Sequence, residues 1–408
     1  MNSSLTFRLI DRLAEFFLAS FESSFFVNLT RKSTIFYPER MWKIFDRFEQ
    51  RFDIFTPEFI FPVVFMGFVA ISPYRISRLA LFSIVLGILF FILGVKLSRN
   101  FRFDKIYLEE YSKKLTALLI VVSVIALLID LYAIGTIPLL NAIARRKLNV
   151  TLTTLAMFLT PGGILFVSII GRQYYEGKLK KSEARVYSLI VLFLTTFLIT
   201  LLGYRTQTIV SLLGCTMAMF YFGLLGIGEI LFSFLMVFLA VSGFGYYRAV
   251  SQGSGIGFFE VVGRRVALTL NVYDIIINKF AGTSGGAIFL ATFSSFLRFI
   301  PGPRLGPRVI VARTLLPDIE GVSITSTLYG TVALGYGILG IAIFSLLLGH
   351  VLAVAHEAMK QSKSSLATGI FSLLMAYTLV GIETGLVDFI VFVLFITSYL
   401  ILRKSINF

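Results

Sequence analysis

The chain is poor in the residues that soluble catalysis and metal binding draw on. Cys215 is its only cysteine, and His350 and His356 are its only histidines. A single cysteine excludes an intrachain disulfide and any multi-cysteine metal site. No cluster of histidine, cysteine and carboxylate has ligand spacing, so neither a metal nor a cofactor is expected. There is no GxxxxGK[ST] loop. The segment GSGIGFFE, 253–260, begins G-x-G but lacks the third glycine and follows no strand. ATP-driven work and dinucleotide chemistry are therefore not expected of this chain alone. No internal repeat of the kind that builds many transporters is visible. MNSSLTFRLIDRLAEFF lacks a compact apolar core followed by a small-residue cleavage site, so no cleaved signal is expected there. Charge is scarce as well, with 14% charged residues against about 25% in a soluble domain.

Hydrophobic residues make up 57% of the 408, and the mean hydropathy is +0.88. Several runs approach or exceed the roughly 18–20 apolar residues that cross a hydrocarbon core. The expected fold is an all-α polytopic membrane protein with about ten transmembrane helices and a large, partly helical external loop. The spans are placed at 58–73, 79–97, 115–135, 151–171, 186–204, 207–225, 228–246, 326–352, 366–384 and 387–402. Thr56-Pro57-Glu58 reads as a helix start. Pro161-Gly162-Gly163 predicts a kink or break in the fourth span. Residues 1–56, with aromatic stripes set against arginines and lysines, are expected as an amphipathic interfacial segment, the alternative being a small helical cap packing on the bundle. Residues 57–246 hold helices one to seven, 247–325 the large loop, and 326–408 helices eight to ten.

Lys and Arg in short loops set the orientation. KLSRNFRFDK, GRQYYEGKLKK, EAMKQSK, the tail RKSINF and the basic N-terminal segment all fall on one side when spans alternate. That side is taken as cytoplasmic, with both termini there, in the cytoplasmic (inner) membrane. YRISR, the 136–150 segment and the 247–325 loop fall on the external, or periplasmic, side. A net charge of +15 then reads as contact with the lipid bilayer rather than with nucleic acid.

The external residues include the chemistry. From Val186 to Tyr247 the only ionisable side chains, tyrosines and Cys215 aside, are Arg205 and Glu229. An arginine so placed is a functional candidate by default. The loop adds Arg248, Arg264, Arg265, Arg298, Arg304, Arg308 and Arg313. Guanidinium groups bind phosphate in bidentate fashion, and several on one cavity would suit a diphosphate. Carboxylates that could act as base toward a sugar hydroxyl are Glu260 and Asp274, with Asp318, Glu320, Glu383 and Asp388 also on this side. Tyr273, Thr325, Thr327 and Tyr329 add hydroxyls at the mouth. Gly330, Gly335, Gly337 and Gly340 read as close helix packing. His350 and His356 fall at the opposite end and read as interfacial structure.

Four segments carry a family resemblance. They are GTIPLL (135–140), GYRTQT (203–208), FIPGPRLGP (299–307) and ITSTLYGTVALGYGILGI (324–341). In order and topology the chain resembles the O-antigen polymerase, or oligosaccharide repeat unit polymerase, family of the Wzy type. The resemblance implies a metal-independent GT-C-like glycosyltransferase without nucleotide sugar. Its substrates would be oligosaccharides on a polyprenyl diphosphate, undecaprenyl or dolichyl, with a chain-length regulator protein as a partner. Arg205 matches that family's Gly-x-Arg turn and is the first residue it assigns to catalysis. The alternatives are an O-antigen ligase, another polyprenyl-phosphate-dependent glycosyltransferase, or a flippase for a lipid-linked glycan. The chain has no external histidine, which favours polymerase over ligase.

Overall fold

The computed structural model describes residues 53–98, 102–103, 109–139, 144–251, 257–297, 300–303, 305–319, 322–386, 388–403 and 406–407. The expected interfacial stripes before residue 53 lie outside them. In chain order the helices are α1 (Pro57–Ala70), α2 (Arg78–Leu97), α3 (Glu109–Ile134), α4 (Val150–Met157), α5 (Leu159–Tyr175), α6 (Lys181–Leu201) and α7 (Arg205–Tyr221). They continue with α8 (Ile227–Ser251), α9 (Phe258–Ile275), a π-helical turn (Ile276–Phe280), α10 (Ala287–Ser294), α11 (Pro307–Leu315), α12 (Thr327–Ser362), α13 (Ser365–Thr384) and α14 (Phe389–Arg403). Two-residue strands β1 (Arg102–Phe103) and β2 (Ile406–Asn407) pair antiparallel.

The protein is an all-α polytopic membrane protein. Among the described residues, six helical segments are long and apolar enough to cross a membrane: Arg78–Leu97, Lys113–Ile134, Val150–Tyr175, Lys181–Leu201, Thr327–Ser362 and Ser365–Thr384. The remaining expected spans are also helices, namely α1, α7, α8 and α14. The predicted break in the fourth span falls at Phe158, between α4 and α5. Pro161 then lies in the first turn of α5, where its missing N–H costs no helical bond. In the 326–352 span the helix runs ten residues beyond the apolar stretch, to Ser362. Hydropathy marks where lipid ends, and EAMKQS keeps helical propensity past that point.

The chain divides into two compact units. The first takes its described residues from Lys105–Leu235 and Lys363–Leu373, with Asp53. The second takes them from Ile54–Asp104, Met236–Ser362 and Leu374–Phe408.

In the first unit, α5 packs on α3, α6 and α7. A buried cluster of Leu127, Ala156, Ile199 and Leu202 sits where α3, α4 and α6 meet, with Leu131, Leu148, Leu198 and Tyr204 against it. A hydroxyl ladder joins α6 to α7: Thr196 donates to Ser211 at 3.2 Å, and Thr200 and Thr208 lie 3.0 Å apart. In apolar surroundings such pairs satisfy each other and set register. Glu229 forms an ion pair with Arg185 and accepts the Gly226 N–H at 2.9 Å, so it closes the α7–α8 turn.

In the second unit, α12 runs along α2. The crossing is close because Gly94 and Gly349 carry no Cβ there. Phe61, Phe65 and Phe91 fill the core beside them.

Loops expected on one side meet each other. In the first unit Arg172, from GRQYYEGKLKK, donates to the Lys363 carbonyl at 2.6 Å. In the second, β1 from KLSRNFRFDK pairs with β2 from the tail. From the other expected side, Leu139 N–H donates to the Leu201 carbonyl at 3.1 Å, and Tyr74 donates to Asp274 at 2.8 Å.

Candidate functional site

Arg205 is the first residue of α7, and Tyr204 precedes it with no side-chain cap on the helix. Gly203 makes the turn at φ +74°. A Cβ at this position would lie 3.3 Å from the Pro138 carbonyl oxygen. The left-handed conformation favours glycine here, and the approach to Pro138 is tighter than an ordinary Cβ contact. Two segments singled out separately in the sequence, GTIPLL and GYRTQT, thus meet backbone to backbone. Arg205 is half-buried, and its Nε carries essentially no accessible surface. A cation at a helix N-terminus opposes the macrodipole. An uncapped helix start and a guanidinium together suit an anion.

One residue of this end was missed in the sequence. Asp130, in the last turns of α3, is 1% exposed. It accepts the Asn149 N–H at 3.0 Å and the Thr153 hydroxyl at 2.7 Å. It thereby ties α3 to the start of α4, where the Asn149 side chain caps the helix. A buried acid is tolerated because both oxygens are bonded.

In the second unit three of the loop arginines sit in ion pairs. Arg264 pairs with Glu260 at 2.7 Å, one turn apart on α9, and both are exposed. Arg265 reaches Glu383 at 2.6 Å, at the end of α13. Arg308, near the start of α11, reaches Asp388 at 3.1 Å. The GIETGLVD turn is thereby fastened to the 247–325 segment by two arginines. Arg313 is exposed. Arg248 lies on α8, and Arg298, Arg304 and Glu320 lie outside the described residues.

The carboxylates differ in what holds them. Asp274 is buried and accepts from Tyr74 Oη at 2.8 Å, Ser77 Oγ at 2.5 Å, Ser77 N–H at 3.2 Å and Asn278 Nδ2 at 2.9 Å. These bonds pin the α1–α2 loop to α9 and the π-helical turn. The bond to this carboxylate, followed by burial, pushes the Tyr74 phenol above its ordinary pKa. With its lone pairs so engaged, Asp274 acts as an anchor. Asp274→Asn is expected to lose about 1–3 kcal/mol of stability through its charged hydrogen bonds. Activity per folded molecule should hold; thermal melting and turnover on the same sample check this. Glu260, by contrast, is accessible, and among the described residues Arg264 holds it through Oε1.

The hydroxyls divide likewise. Tyr273 is fully buried, with its oxygen 2.5 Å from Ser83 Oγ. Tyr329 is fully buried and tilted on Phe65 at 5.1 Å. Both face the α2 core. Thr325 is half-buried, and Thr327 is buried at the start of α12 with φ +62°, a strained conformation for a β-branched residue. His350 bonds Ser98 Oγ at 2.6 Å and Tyr399 Oη at 3.2 Å, joining α2, α12 and α14. His350→Ala is expected to leave activity near normal; a large loss in a turnover assay would contradict that placement.

Fold and residues together define a multi-pass helical membrane protein with a loop segment rich in paired arginines and a helix-start arginine in a glycine turn. The family model described as "Putative O-antigen polymerase" matches residues 53–395, and the chain belongs to that family. Membership makes it a glycosyltransferase-like enzyme of polysaccharide biosynthesis, acting on a lipid-linked oligosaccharide at a membrane. It is also similar to an uncharacterized protein of Methanocaldococcus jannaschii, 32% identical over 312 residues, which cover 76% of this chain and 82% of that protein. No solved structure matches.

Proposed function

We propose that the protein polymerises oligosaccharide repeat units carried on a polyprenyl diphosphate, at the external membrane face, as a GT-C-like enzyme. The terminal sugar hydroxyl of one lipid-linked unit attacks the anomeric carbon of the growing chain on another. The new glycosidic bond forms as the anomeric C–O bond to phosphate breaks, and the lipid diphosphate leaves with the electron pair. The hydroxyl proton passes to a carboxylate, and Glu260 is the accessible one of the two candidates. Charge develops on the leaving diphosphate, so fixed cations lower the barrier most.

The observation that carries this reading is Arg205 in its glycine turn at an uncapped helix start. It sets a guanidinium at a helix start that has no side-chain cap. The reaction has two lipid diphosphates, and the 247–325 segment carries further arginines of the kind that binds phosphate, Arg264, Arg265, Arg308 and Arg313, with Arg248, Arg298 and Arg304.

Deletion of the gene in its own host tests the reading. A polymerase loss leaves surface glycan carrying a single repeat unit, and the wild-type gene restores the ladder. Loss of a ligase would instead leave full-length polymer on the lipid carrier. Loss of a flippase would leave no repeat units outside.

A further inference from the structure

Asp130 lies within the apolar segment Lys113–Ile134, which is long enough to cross a membrane, and is 1% exposed. An ionisable side chain buried in a spanning helix is a functional candidate by default, and its partners indicate what it serves. Each of its oxygens takes one donor. Oδ1 accepts the Asn149 N–H at 3.0 Å, and Oδ2 accepts the Thr153 hydroxyl at 2.7 Å. Apolar packing would join α3 to α4 without the desolvation cost of a buried carboxylate. The directed bonds fix where the partners stand, which apolar contact does less strictly.

The neighbours of these groups show what is fixed. Leu127 and Leu131 lie one turn apart on α3, on either side of Asp130. Leu148 immediately precedes Asn149, and Ala156 follows Thr153 by one turn. These four residues make one side of the buried cluster, and Leu198, Ile199, Leu202 and Tyr204 make the other. Leu202 and Tyr204 bracket Gly203, whose φ is +74°, and Arg205 comes next. The cluster therefore grips the Arg205 turn on both sides of its left-handed glycine. The connection between α3 and α4 adds a second hold, because Leu139 N–H donates to the Leu201 carbonyl at 3.1 Å. Asp130 and Asn149 close the base of that connection. Tyr204 gives α7 no side-chain cap, so these contacts locate the start of the helix.

We propose that Asp130 is a positioning residue: through Asn149 and Thr153 it fixes the surface on which Leu202 and Tyr204 rest, and with it the place of Arg205. The proposal rests on the role given to Arg205 in the polymerase reading. It adds the side chain that holds the Arg205 turn in register. A displacement of about 1 Å at a reacting centre can lose about 10²-fold in rate, so a tie remote from the substrate has a kinetic effect.

The test uses the full chain in liposomes and two substitutions at the buried Thr153. Thr153→Val keeps the shape of the side chain and removes its hydroxyl; Thr153→Ser keeps the hydroxyl. Two quantities are read. One is hydrogen exchange of the amides of 202–210, which include Gly203 N–H bonded to Thr200 and Thr208 N–H bonded to Tyr204. The other is kcat and KM for chain growth on a lipid-linked oligosaccharide. Thr153→Val is expected to speed the exchange about tenfold and to lower kcat about tenfold, with KM within about twofold. Thr153→Ser should match wild type in both. Asp130→Asn, which keeps one acceptor oxygen, is the second variant and should lower kcat at least as far. Melting curves accompany each variant, and the amides of α5 in the same unit are the reference, with no change expected.

Unchanged exchange at 202–210 in folded variants, an equal acceleration in α5, or a Thr153→Ser protein as impaired as Thr153→Val would overturn the proposal. Exchange requires no glycan, so the two readings fail separately. Faster exchange at 202–210 with kcat unchanged contradicts only the role of Arg205. Chain growth that depends on Arg205, with exchange unchanged, contradicts only the positioning by Asp130.

Discussion

Replacing Arg205 with alanine should abolish chain growth while the protein still inserts and folds. The side chain is half-buried at the first position of α7, where its charge opposes the helix dipole. Its removal relieves that opposition to the dipole. The Gly203 turn against Pro138 is backbone geometry and does not depend on the side chain. What disappears is a preorganised cation for the leaving diphosphate, and removing such a group costs about 10²–10³-fold in rate. Arg205→Lys should recover little, because a point charge replaces a planar fork with fixed donors. Product ladders from purified variants, with a melting curve for each, check both. Retained activity in a folded Arg205→Ala protein would remove this residue from the site.

The largest effect on stability is expected at the α2–α12 crossing. A Cβ on Gly349 would stand 2.2 Å from the Phe91 carbonyl oxygen, and one on Gly94 2.1 Å from the Leu346 carbonyl oxygen. Both obstacles are helical backbone, which cannot rotate away as a side chain can. Even alanine must push the helices apart. That would strip the contacts of Phe91, Ile84 and Ile88 along the seam and open gaps lipid cannot fill well. Gly349→Ala and Gly94→Ala should each yield little monodisperse protein in detergent. Gly67→Ala is the control: its Cβ meets nothing within 4 Å, and alanine favours helix by about 1 kcal/mol. Size-exclusion profiles and melting midpoints of the three variants decide it. A stable, monodisperse Gly349→Ala protein would contradict the packing.

Much of this was legible in sequence because lipid imposes a coarse rule. Apolar runs of fixed length had to be helical, and the expected spans are, the fourth as the two helices α4 and α5. Pro161 announced the α4–α5 break through its missing donor. Alternation of spans grouped the loops, and the contacts of Arg172 with Lys363 and of β1 with β2 join loops of one group. Other features depend on partners far along the chain. Arg265 and Glu383 are 118 residues apart, and no local pattern couples them. Asp274 reads in sequence as one candidate base among several, and its partners Tyr74 and Ser77 lie about 200 positions away. The glycines of α12 were visible as a group, yet their roles differ. Gly335 admits the 282–286 turn, Gly337 breaks the helix, and the close helix crossing falls to Gly94 and Gly349. Composition reveals that backbone approaches backbone, without revealing which backbone.

The most direct test of the polymerase is reconstitution of the purified protein in liposomes with one lipid-linked oligosaccharide. Released glycans are sized, and free lipid diphosphate is counted. The account predicts a ladder of repeat multiples, with one lipid diphosphate released per bond formed, and neither product from Arg205→Ala. A single transfer to an unrelated acceptor, or passage of substrate across the bilayer with no new bond, would contradict it.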